Sequence, residues 1–378
     1  MATEYRAPAE PEMETLDINV NVGPQHPATH GVFRMILTVD GELVKDLDPV
    51  IGYMHRGNEK LPENCDYRQA IGYHDRTDYL AQFNTEHCFV QAVEKLGNLP
   101  VPERAEYIRV ILAEMNRMSS HLMFLGAFGT DIGLFGTSFM YAFRDRETIQ
   151  DFFEEITGER MMYNYFRPGG VAWDVPENFR ERCMQVLAKV KRGLEDIDGL
   201  MMGNEVVLAR CRGLSGVSPE DAINWGLSGP MLRATGLAHD IRRAEPYSIY
   251  DRFEFDIPTG RQGDVYDRIV VRLEEMKESV HIVEQALQQM PEGPIMAEGM
   301  KRILRVPAGE IYMRVESPRG EYGVYVISNG SDKPYRHKVR GASFSNLSAL
   351  RAMSVGRYVA DVILILGSID IVLCEVDR

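Results

Sequence analysis

Hydrophobic positions recur with two different periods along the chain, and the changes of period divide it into three parts. Between residues 17 and 48, apolar and polar residues alternate in DINVNV, GVFRMILTVD and ELVKDLD. A period of two predicts three strands that each bury one face, with a tight turn at Asp40 and Gly41. The loop that joins the first two strands contains the segment VGPQHPATHG.

From about Tyr73 the period becomes helical. Apolar residues recur at intervals of three and four over residues 107–128 and 263–290, which predicts two long helices that each have an apolar face. In the first helix the apolar positions are Ile108, Ile111, Met115, Met118, Leu122 and Leu125. A third helix is expected over residues 176–202, since Pro176 suits a first helical position.

The period of two returns after Gly309. EIYMRVES and VYVISNG flank the turn segment PRGEYG and predict a hairpin, and PYRHKVRG adds a third strand. We therefore expect an α+β fold in which a central bundle of long helices is flanked by N-terminal and C-terminal α/β pieces. The expected division is a flexible tail over residues 1–16, a β-rich domain over 17–72, a helical bundle over 73–305 and a C-terminal α/β domain over 306–378.

Composition narrows the function classes. A net charge of −14 over 378 residues, without any run of Lys and Arg, argues against nucleic-acid binding. The most apolar window, VADVILILGSIDIVLC, contains Asp361 and Asp370 and falls short of the roughly 20 apolar residues that span a bilayer. It predicts the end of a buried helix followed by a strand. MATEYRAPAEPEMETLD lacks the apolar stretch of a secretory signal, so we expect a cytoplasmic location.

The five cysteines stand singly, without any CxxC pair, so reduced and mostly buried thiols are expected. P-loop, GxGxxG, HExxH and GxSxG motifs are also absent from the sequence. From spacing alone the chain is an α+β protein with an unusual polar loop.

Three polar segments are candidates for chemistry. His26 and His30 stand four residues apart, but Pro27 places them on a loop rather than on one helix face. GYHDRTDYL predicts the start of a helix that Asp75 could cap, and a capped surface turn explains it equally well. Asp131 is a lone acid among Gly, Phe and Leu. It either has a buried partner or caps the next helix.

Two further charged clusters are assigned structural roles. The segment DRFEFDIPTGRQGDVYDR is interpreted as a charged loop. Glu114, Arg117 and His121 share one helix face, and an internal polar network explains them more simply than catalysis.

The longer motifs resemble one family. GPQHPATHGVFR, IGYMHRGNEKL, DYRQAIGYHDRTDY, FRPGGVAWD, SGPMLRATG, PYSIYDRFEFDIPTGRQGDVYDR and GEYGVYVISNGSDKPYRHKVRGASFSNL stand in the same order in the 49 kDa subunits of respiratory complex I, called the D subunit in bacteria. The resemblance extends from about Asp17 to Arg378. It implies a fold like that of the large subunit of nickel-iron hydrogenases, to which this family is related.

In those hydrogenases two CxxC motifs hold the metals. Here GYHDRTDY stands in place of the first and SIDIVLCEVDR, with the single Cys374, in place of the last. One thiolate cannot form a four-thiolate site. The resemblance implies that the cavity holds a quinone headgroup instead, and that this chain holds no cofactor of its own. A 4Fe-4S cluster in the small B subunit would supply the electrons, with NAD and FMN bound by other subunits.

The resemblance also assigns residue roles. It implies that His26 and Tyr79 each bond one quinone carbonyl, that Asp131 pairs with His26, and that His30 helps to shape the pocket. Quinone reduction consumes two protons, so donors near both carbonyls suit the reaction. Arg56 and Arg76 match arginines near the terminal cluster of the partner subunit, and Met162 occupies a position that is histidine in several relatives.

The implied assembly includes the B and C subunits of the peripheral arm and the membrane-arm subunits, with this chain bound peripherally at the cytoplasmic side of the membrane. One rival interpretation is a scaffold that only docks its neighbours, and another is a hydrogenase-like metal enzyme. A third interpretation is a related complex with the same site that receives its electrons from ferredoxin or reduced deazaflavin. Residues 290–310 are about thirty residues shorter than in many family members, so the contacts made there are not carried over.

Met162 leads to a prediction about the neighbouring cluster. Methionine neither titrates nor donates a strong hydrogen bond, whereas histidine does both. We expect the midpoint potential of the cluster to be lower and less dependent on pH than in relatives with histidine at this position. A redox titration that shows a clear slope with pH near neutrality would contradict this.

Overall fold

The computed structural model describes residues 16–26, 30–134 and 136–378. Its N-terminal part is an antiparallel sheet of three strands, β1 (Ile18–Val22), β2 (Arg34–Asp40) and β3 (Leu43–Val50), in the order β1-β2-β3. Met35, Leu37 and Val39 alternate into the core along β2, which confirms the predicted period of two. The predicted turn at Asp40 and Gly41 joins β2 to β3.

The middle of the chain is mostly helical. Its helices are α1 (Tyr67–Asp75), α2 (Gln82–Gly97), α3 (Glu103–Ile132), α4 (Ser138–Thr157), α5 (Phe179–Met201), α6 (Glu205–Cys211), α7 (Pro219–Asn224), α8 (Pro230–Arg233), α9 (Ile241–Ala244) and α10 (Val265–Gln289). Two short strands, β4 (Phe166–Arg167) and β5 (Gly170–Val171), form a hairpin at the predicted stop RPGG.

The C-terminal part begins with a second antiparallel sheet, β6 (Gly309–Ser317), β7 (Gly320–Ser328) and β8 (Arg336–Arg340), in the order β6-β7-β8. Four helices follow, α11 (Ala342–Leu347), α12 (Leu350–Ser354), α13 (Val359–Ile369) and α14 (Leu373–Asp377). The predicted hairpin and third strand are confirmed. Residues 371–376 do not form the predicted strand, since α13 ends at Asp370 in a left-handed conformation and α14 starts three residues later.

Helix α3 is the axis of the bundle. Its 30 residues span about 45 Å at the usual rise per residue. It packs against α2, α4, α10 and α13, and most of its residues are buried on every face. The helix is longer than the predicted range of 107–128. Neighbouring elements cover its polar face as well as its apolar face.

The C-terminal helix α14 contacts the segment that follows β3. The carboxylate of Asp377 accepts hydrogen bonds from the backbone N–H groups of Gly52 and Met54 at 2.8 and 2.7 Å. The edge of β3 bonds to residues 356–359, where Val44 donates to the carbonyl of Arg357 at 2.9 Å. One continuous hydrophobic core includes residues from all three predicted domains, and the division at 72 and 305 stays a prediction.

The prediction for GYHDRTDYL is wrong in detail. The segment lies at the end of α1 and in the turn before α2, because Asp66 already caps α1 by accepting from the backbone N–H groups of Arg68 and Gln69. Asp75 is therefore not an N-cap but a fully buried acid in the last turn of α1. Asp131 likewise does not cap the next helix, since it lies in the last turn of α3.

Charged side chains fill the centre of the bundle. The fully buried Glu114 accepts from Arg117, Arg242, Tyr250 and Ser279 at 2.6–3.1 Å. These donors hold the pKa of Glu114 down at about 2 although burial acts in the opposite direction. The predicted internal polar network is thus confirmed for Glu114 and Arg117.

A second buried network surrounds Glu275 on α10. One carboxylate oxygen accepts from Arg233 at 2.7 Å, and the other lies 3.0 Å from Nε2 of His121. Arg233 also bonds Glu316 on β6 at 2.8 Å, so the network joins the bundle to the C-terminal sheet. The charge on each member is compensated only while its partners remain.

The Glu275 network can be tested by stability. Glu275→Gln leaves the buried Arg233 with one charge partner fewer, and we expect the free energy of unfolding to fall by about 3 kcal/mol or more. The matched control is Glu274→Gln, which removes the adjacent, exposed carboxylate paired with Lys277 and is expected to cost about 0.5 kcal/mol or less. Urea unfolding of both variants measures the difference. Equal losses would contradict the importance of the buried network.

Candidate functional site

A cavity of about 240 Å³ lies between the end of α3, the turn before α2 and the junction of α13 and α14. Its apolar walls are formed by Leu80, Met123, Phe124, Ala127, Ile371 and Val372. Its polar groups include His30, Tyr79, Asp131 and Asp370. The cavity thus combines a mainly apolar lining with a small number of titratable groups, as ligand pockets usually do.

His30 and Asp131 form a close pair in this cavity. Nε2 of His30 lies 2.7 Å from Oδ2 of Asp131, with 19% and 10% of the two side chains exposed. Asp131 is thus paired with the second histidine of the loop, and the predicted pairing of Asp131 with His26 stays a prediction. His30 has a φ of 51° and is followed by Gly31 with a φ of 127°, a backbone turn that directs the second histidine of the loop into the cavity.

Gly367 on α13 packs closely against this pair. A Cβ atom at Gly367 would lie 2.8 Å from Oδ2 of Asp131 and 3.2 Å from Nε2 of His30. Helix α13 therefore approaches α3 at a point where any side chain would collide with the pair. No sequence pattern indicates this role of Gly367, because a glycine in an apolar helix gives no signal of what packs against it.

The surroundings of His30 favour its charged form. Burial acts to lower the pKa of the imidazole, but the hydrogen bond to Asp131 and the negative charges of Asp131 and Asp370 outweigh burial and raise it. The protonated ring is thus retained further into the neutral range than in a free histidine. It is a proton donor whose charge depends on two nearby carboxylates.

Tyr79 also lines the cavity, and it lies in the turn between α1 and α2. Burial raises the pKa of its hydroxyl, so the group stays protonated at neutral pH and can donate. The preceding residue, Asp78, is fully buried and bonds Arg319 at 2.8 Å. This ion pair fixes the turn from which Tyr79 projects.

Asp370 is a further acid of the cavity. Its Oδ1 accepts from Arg319 at 3.4 Å, while its buried Oδ2 has no hydrogen-bond partner among the described residues. Asp370 was not predicted as a site residue, although it interrupts the most apolar window of the sequence. An acid in such a window is itself a signal of a buried polar role.

His26 does not line this cavity as the structure describes it. Its side chain is exposed beside a shallow hollow that Pro24, Gln25, Gly31 and Val32 also line. Residues 27–29, the PAT of the HPATH loop, lie outside the described residues. The role of His26 as a quinone ligand stays a prediction.

Arg56, Arg76 and Met162 lie apart from the cavity lining. Arg56 is exposed and donates to the backbone carbonyl of Arg76 at 2.9 Å, so these two predicted neighbours are brought together. Arg76 is also exposed and follows Asp75, which accepts from the backbone N–H of Asn164 at 3.0 Å. Met162 is therefore held near the same end of α1.

The described part of the chain contains neither a candidate metal site nor a helix that could span a membrane. Residues 16–26, 30–134 and 136–378 contain no group of three or more His, Cys, Asp or Glu side chains placed to hold a metal ion. All five cysteines are free thiols, four of them buried, as predicted. Within the same ranges no helix is both long and apolar enough to cross a bilayer.

The comparisons with known proteins agree with the resemblance. The chain is 51% identical to the D subunit of the NADH-quinone oxidoreductase of Carboxydothermus hydrogenoformans, over 97% of this chain and the full length of the relative. It is 51% identical to the protein of the same name from Dehalococcoides mccartyi and 46% identical to a D subunit from Roseiflexus, each over 97% of this chain and the full relative.

The family model for the respiratory-chain NADH dehydrogenase 49 kDa subunit matches residues 131–305 and 298–378. The α+β fold predicted from the sequence is consistent with this family. With half of its residues identical to curated relatives along nearly its entire length, the chain belongs to the family of respiratory-chain NADH dehydrogenase 49 kDa subunits.

Proposed function

We propose that this chain is the quinone-site subunit of a proton-pumping NADH-quinone oxidoreductase, and that the cavity between α3 and α13 receives the quinone headgroup. The observation that carries the proposal is the placement of two proton donors, His30 and Tyr79, in one apolar cavity. The names of the relatives supply the substrate class, since they include quinone as the electron acceptor.

A quinone headgroup fits the chemistry of this lining. The ring is flat and largely apolar, which suits contact with Met123, Phe124 and Ile371. Its two carbonyl oxygens accept hydrogen bonds, and the protonated His30 and the Tyr79 hydroxyl each donate one. In this assignment His30 replaces His26 as the first donor, Tyr79 keeps its predicted role, and Asp131 remains the partner of the histidine.

The reaction takes two electrons and two protons from the oxidised to the reduced ring. Nε2 of His30 is hydrogen-bonded to Asp131, so His30 donates its Nδ1 proton to one carbonyl oxygen, and Tyr79 donates its hydroxyl proton to the other. Both donors then recover protons from solvent. The pKa shift of His30 supports its part, because the neighbouring carboxylates keep the ring charged until it donates.

Proton donation by His30 also changes the charge balance of the cavity. Before donation the imidazolium compensates Asp131 at 2.7 Å, and afterwards the carboxylate faces a neutral ring. The loop that bears His30 is then held less strongly to α3. We propose this release as the start of the conformational and electrostatic signal toward the membrane arm.

Electrons reach the cavity from outside this chain. In the proposed assembly a 4Fe-4S cluster in the neighbouring small subunit supplies them, and NADH is oxidised through FMN in other subunits. The exposed guanidinium groups of Arg56 and Arg76 would face that cluster, where positive charge raises the potential of an anionic centre. The same assembly places the chain at the cytoplasmic side of the membrane, bound through its partners.

The Tyr79 hydroxyl provides the first test. Tyr79→Phe removes one donor and preserves the ring, and we expect quinone reduction in membranes to fall about 100-fold or more. Electron entry into the clusters, followed by their reduction spectra, should remain as in the wild type. The measurement compares donor-to-quinone activity with cluster reduction in the same membranes.

The matched control is Tyr67→Phe, which removes a hydroxyl from a buried tyrosine at the start of α1, away from the cavity lining. Its quinone reduction should match that of the wild type. If Tyr79→Phe retained full activity, the chain would be better described as a scaffold, with protons supplied to the quinone elsewhere.

Asp131 provides a test by pH. Asp131→Asn removes the hydrogen-bonded charge that raises the pKa of His30, so His30 loses its proton at lower pH. Quinone reduction that requires the protonated ring declines as pH rises through this pKa. We therefore expect the alkaline limb of the activity profile to move to lower pH in the variant.

The control for Asp131 is Asp196→Asn, the same substitution at an exposed acid paired with Arg144 on α4. Its profile should overlay that of the wild type. An unchanged alkaline limb in Asp131→Asn would show that the Asp131–His30 pair does not set the protonation of the donor.

A further inference from the structure

Two buried acids outside the cavity are not explained by the proposed chemistry. Asp75 lies in the last turn of α1 and Glu86 in the first half of α2, and both side chains are fully buried. Neither acid forms an ion pair with Arg, Lys or His in the described chain. Buried carboxylates without such partners are rare because the loss of hydration is not compensated.

Both acids bond the same short stretch of backbone. Oδ2 of Asp75 accepts from the N–H of Asn164 at 3.0 Å, and Oε2 of Glu86 accepts from the N–H groups of Tyr165 and Phe166 at 3.0 and 2.8 Å. Three consecutive amides therefore bring the two carboxyl groups side by side. Oδ1 of Asp75 and Oε1 of Glu86 remain without a donor as long as both groups are ionised.

A single bound proton would provide the missing hydrogen bond between the two acids. A proton on either acid turns one of the two unpartnered oxygens into a donor to the other and reduces two buried charges to one. We propose that Asp75 and Glu86 form a proton-binding site that holds a single shared proton at neutral pH, and that this pair positions the loop over residues 162–166. The three amide bonds are retained whichever acid carries the proton.

The surroundings are consistent with one retained proton. Burial is the largest cause that raises the pKa of both acids, and for Asp75 the charge of Glu86 adds to it. The charged and titratable groups that face the pair are Arg76 at the end of α1, Arg109 on α3, and Tyr163 and Arg167 on the loop. The positive charges of the three arginines stabilise one carboxylate, while burial acts against the ionised form of both acids.

The loop that the pair holds needs such an anchor. Met162 and Asn164 have φ values of 62° and 41°, a left-handed conformation that residues other than glycine adopt at a cost. Asp75 is also directly followed by Arg76 in the chain, so the pair of Asp75 and Glu86 is connected to Arg76 through the end of α1. Asp75 and Glu86 are thus positioning residues for Met162 and Arg76, and this part of the inference rests on the proposed function, which places a partner's cluster beside them.

Infrared spectroscopy of the purified chain tests the shared proton directly. In wild-type-minus-variant difference spectra at pH 7 we expect a protonated-carboxyl band for Asp75→Asn and also for Glu86→Gln, whereas the buried Glu375, whose pKa burial raises to about 7, contributes equally to both spectra and cancels. Each amide side chain can donate to the remaining acid, which then stays ionised, so both variants should fold. Asp174→Asn, at a half-exposed acid paired with Arg104, should give a difference spectrum without this band.

The absence of this difference band for either variant would overturn the shared proton. Should one variant fail to fold, the other still decides, because a difference spectrum without the band contradicts the proposal. This measurement involves no quinone. It therefore stands even if Tyr79→Phe shows that the proposed function is wrong.

The positioning role is tested in the assembled complex by the midpoint potential and the paramagnetic resonance spectrum of the partner's cluster. Asp75→Asn keeps the loop contacts and should leave both at their wild-type values at pH 7. Asp75→Ala removes the contacts to Asn164 and to Glu86 and should shift both. Identical effects of the two substitutions, or no effect of Asp75→Ala, would overturn the positioning role.

Discussion

The buried guanidinium of Arg319 is the interaction on which the shape of the cavity depends. Arg319 lies in the tight turn between β6 and β7, without exposed surface, and bonds Asp78 at 2.8 Å and Asp370 at 3.4 Å. Asp78 precedes Tyr79, and Asp370 ends α13. One side chain of the C-terminal sheet thus connects two walls of the cavity that come from distant parts of the sequence.

A cavity built in this way has an electrostatic consequence. Burial of Arg319 is tolerable only because two carboxylates face it, and one of them, Asp370, also acts on His30. The Asp370 carboxylate that helps to hold the walls together therefore also helps to raise the pKa of His30. Structural stability and the proton donation that we propose for His30 depend on a shared set of charges, so a change in one is expected to affect the other.

Much of the fold could be predicted from the sequence, because periodicity reports burial. The strands of both sheets and the helices around 107–128, 176–202 and 263–290 follow from patterns of two and of three and four. The ends of elements were less accessible. GYHDRTDYL contains good capping residues, but Asp66 caps the helix earlier, and α13 ends in a left-handed turn at Asp370 that no pattern indicated.

The candidate site could be predicted from the sequence only in part, for a geometric reason. Its motifs identified both histidines of the loop, Tyr79 and Asp131, with His26 as the expected partner of Asp131. The observed pair of His30 and Asp131 joins residues far apart in the chain, and no local pattern indicates it.

The central claim is that the second histidine of the HPATH loop, and not the first, serves the quinone. The most direct measurement compares His30→Gln with His26→Gln in membranes, with the turnover and the apparent quinone affinity determined for each. Substitution of His30 should abolish most quinone reduction while cluster reduction persists, and substitution of His26 should have a much smaller effect. Loss of activity in His26→Gln with near-normal turnover in His30→Gln would contradict the assignment.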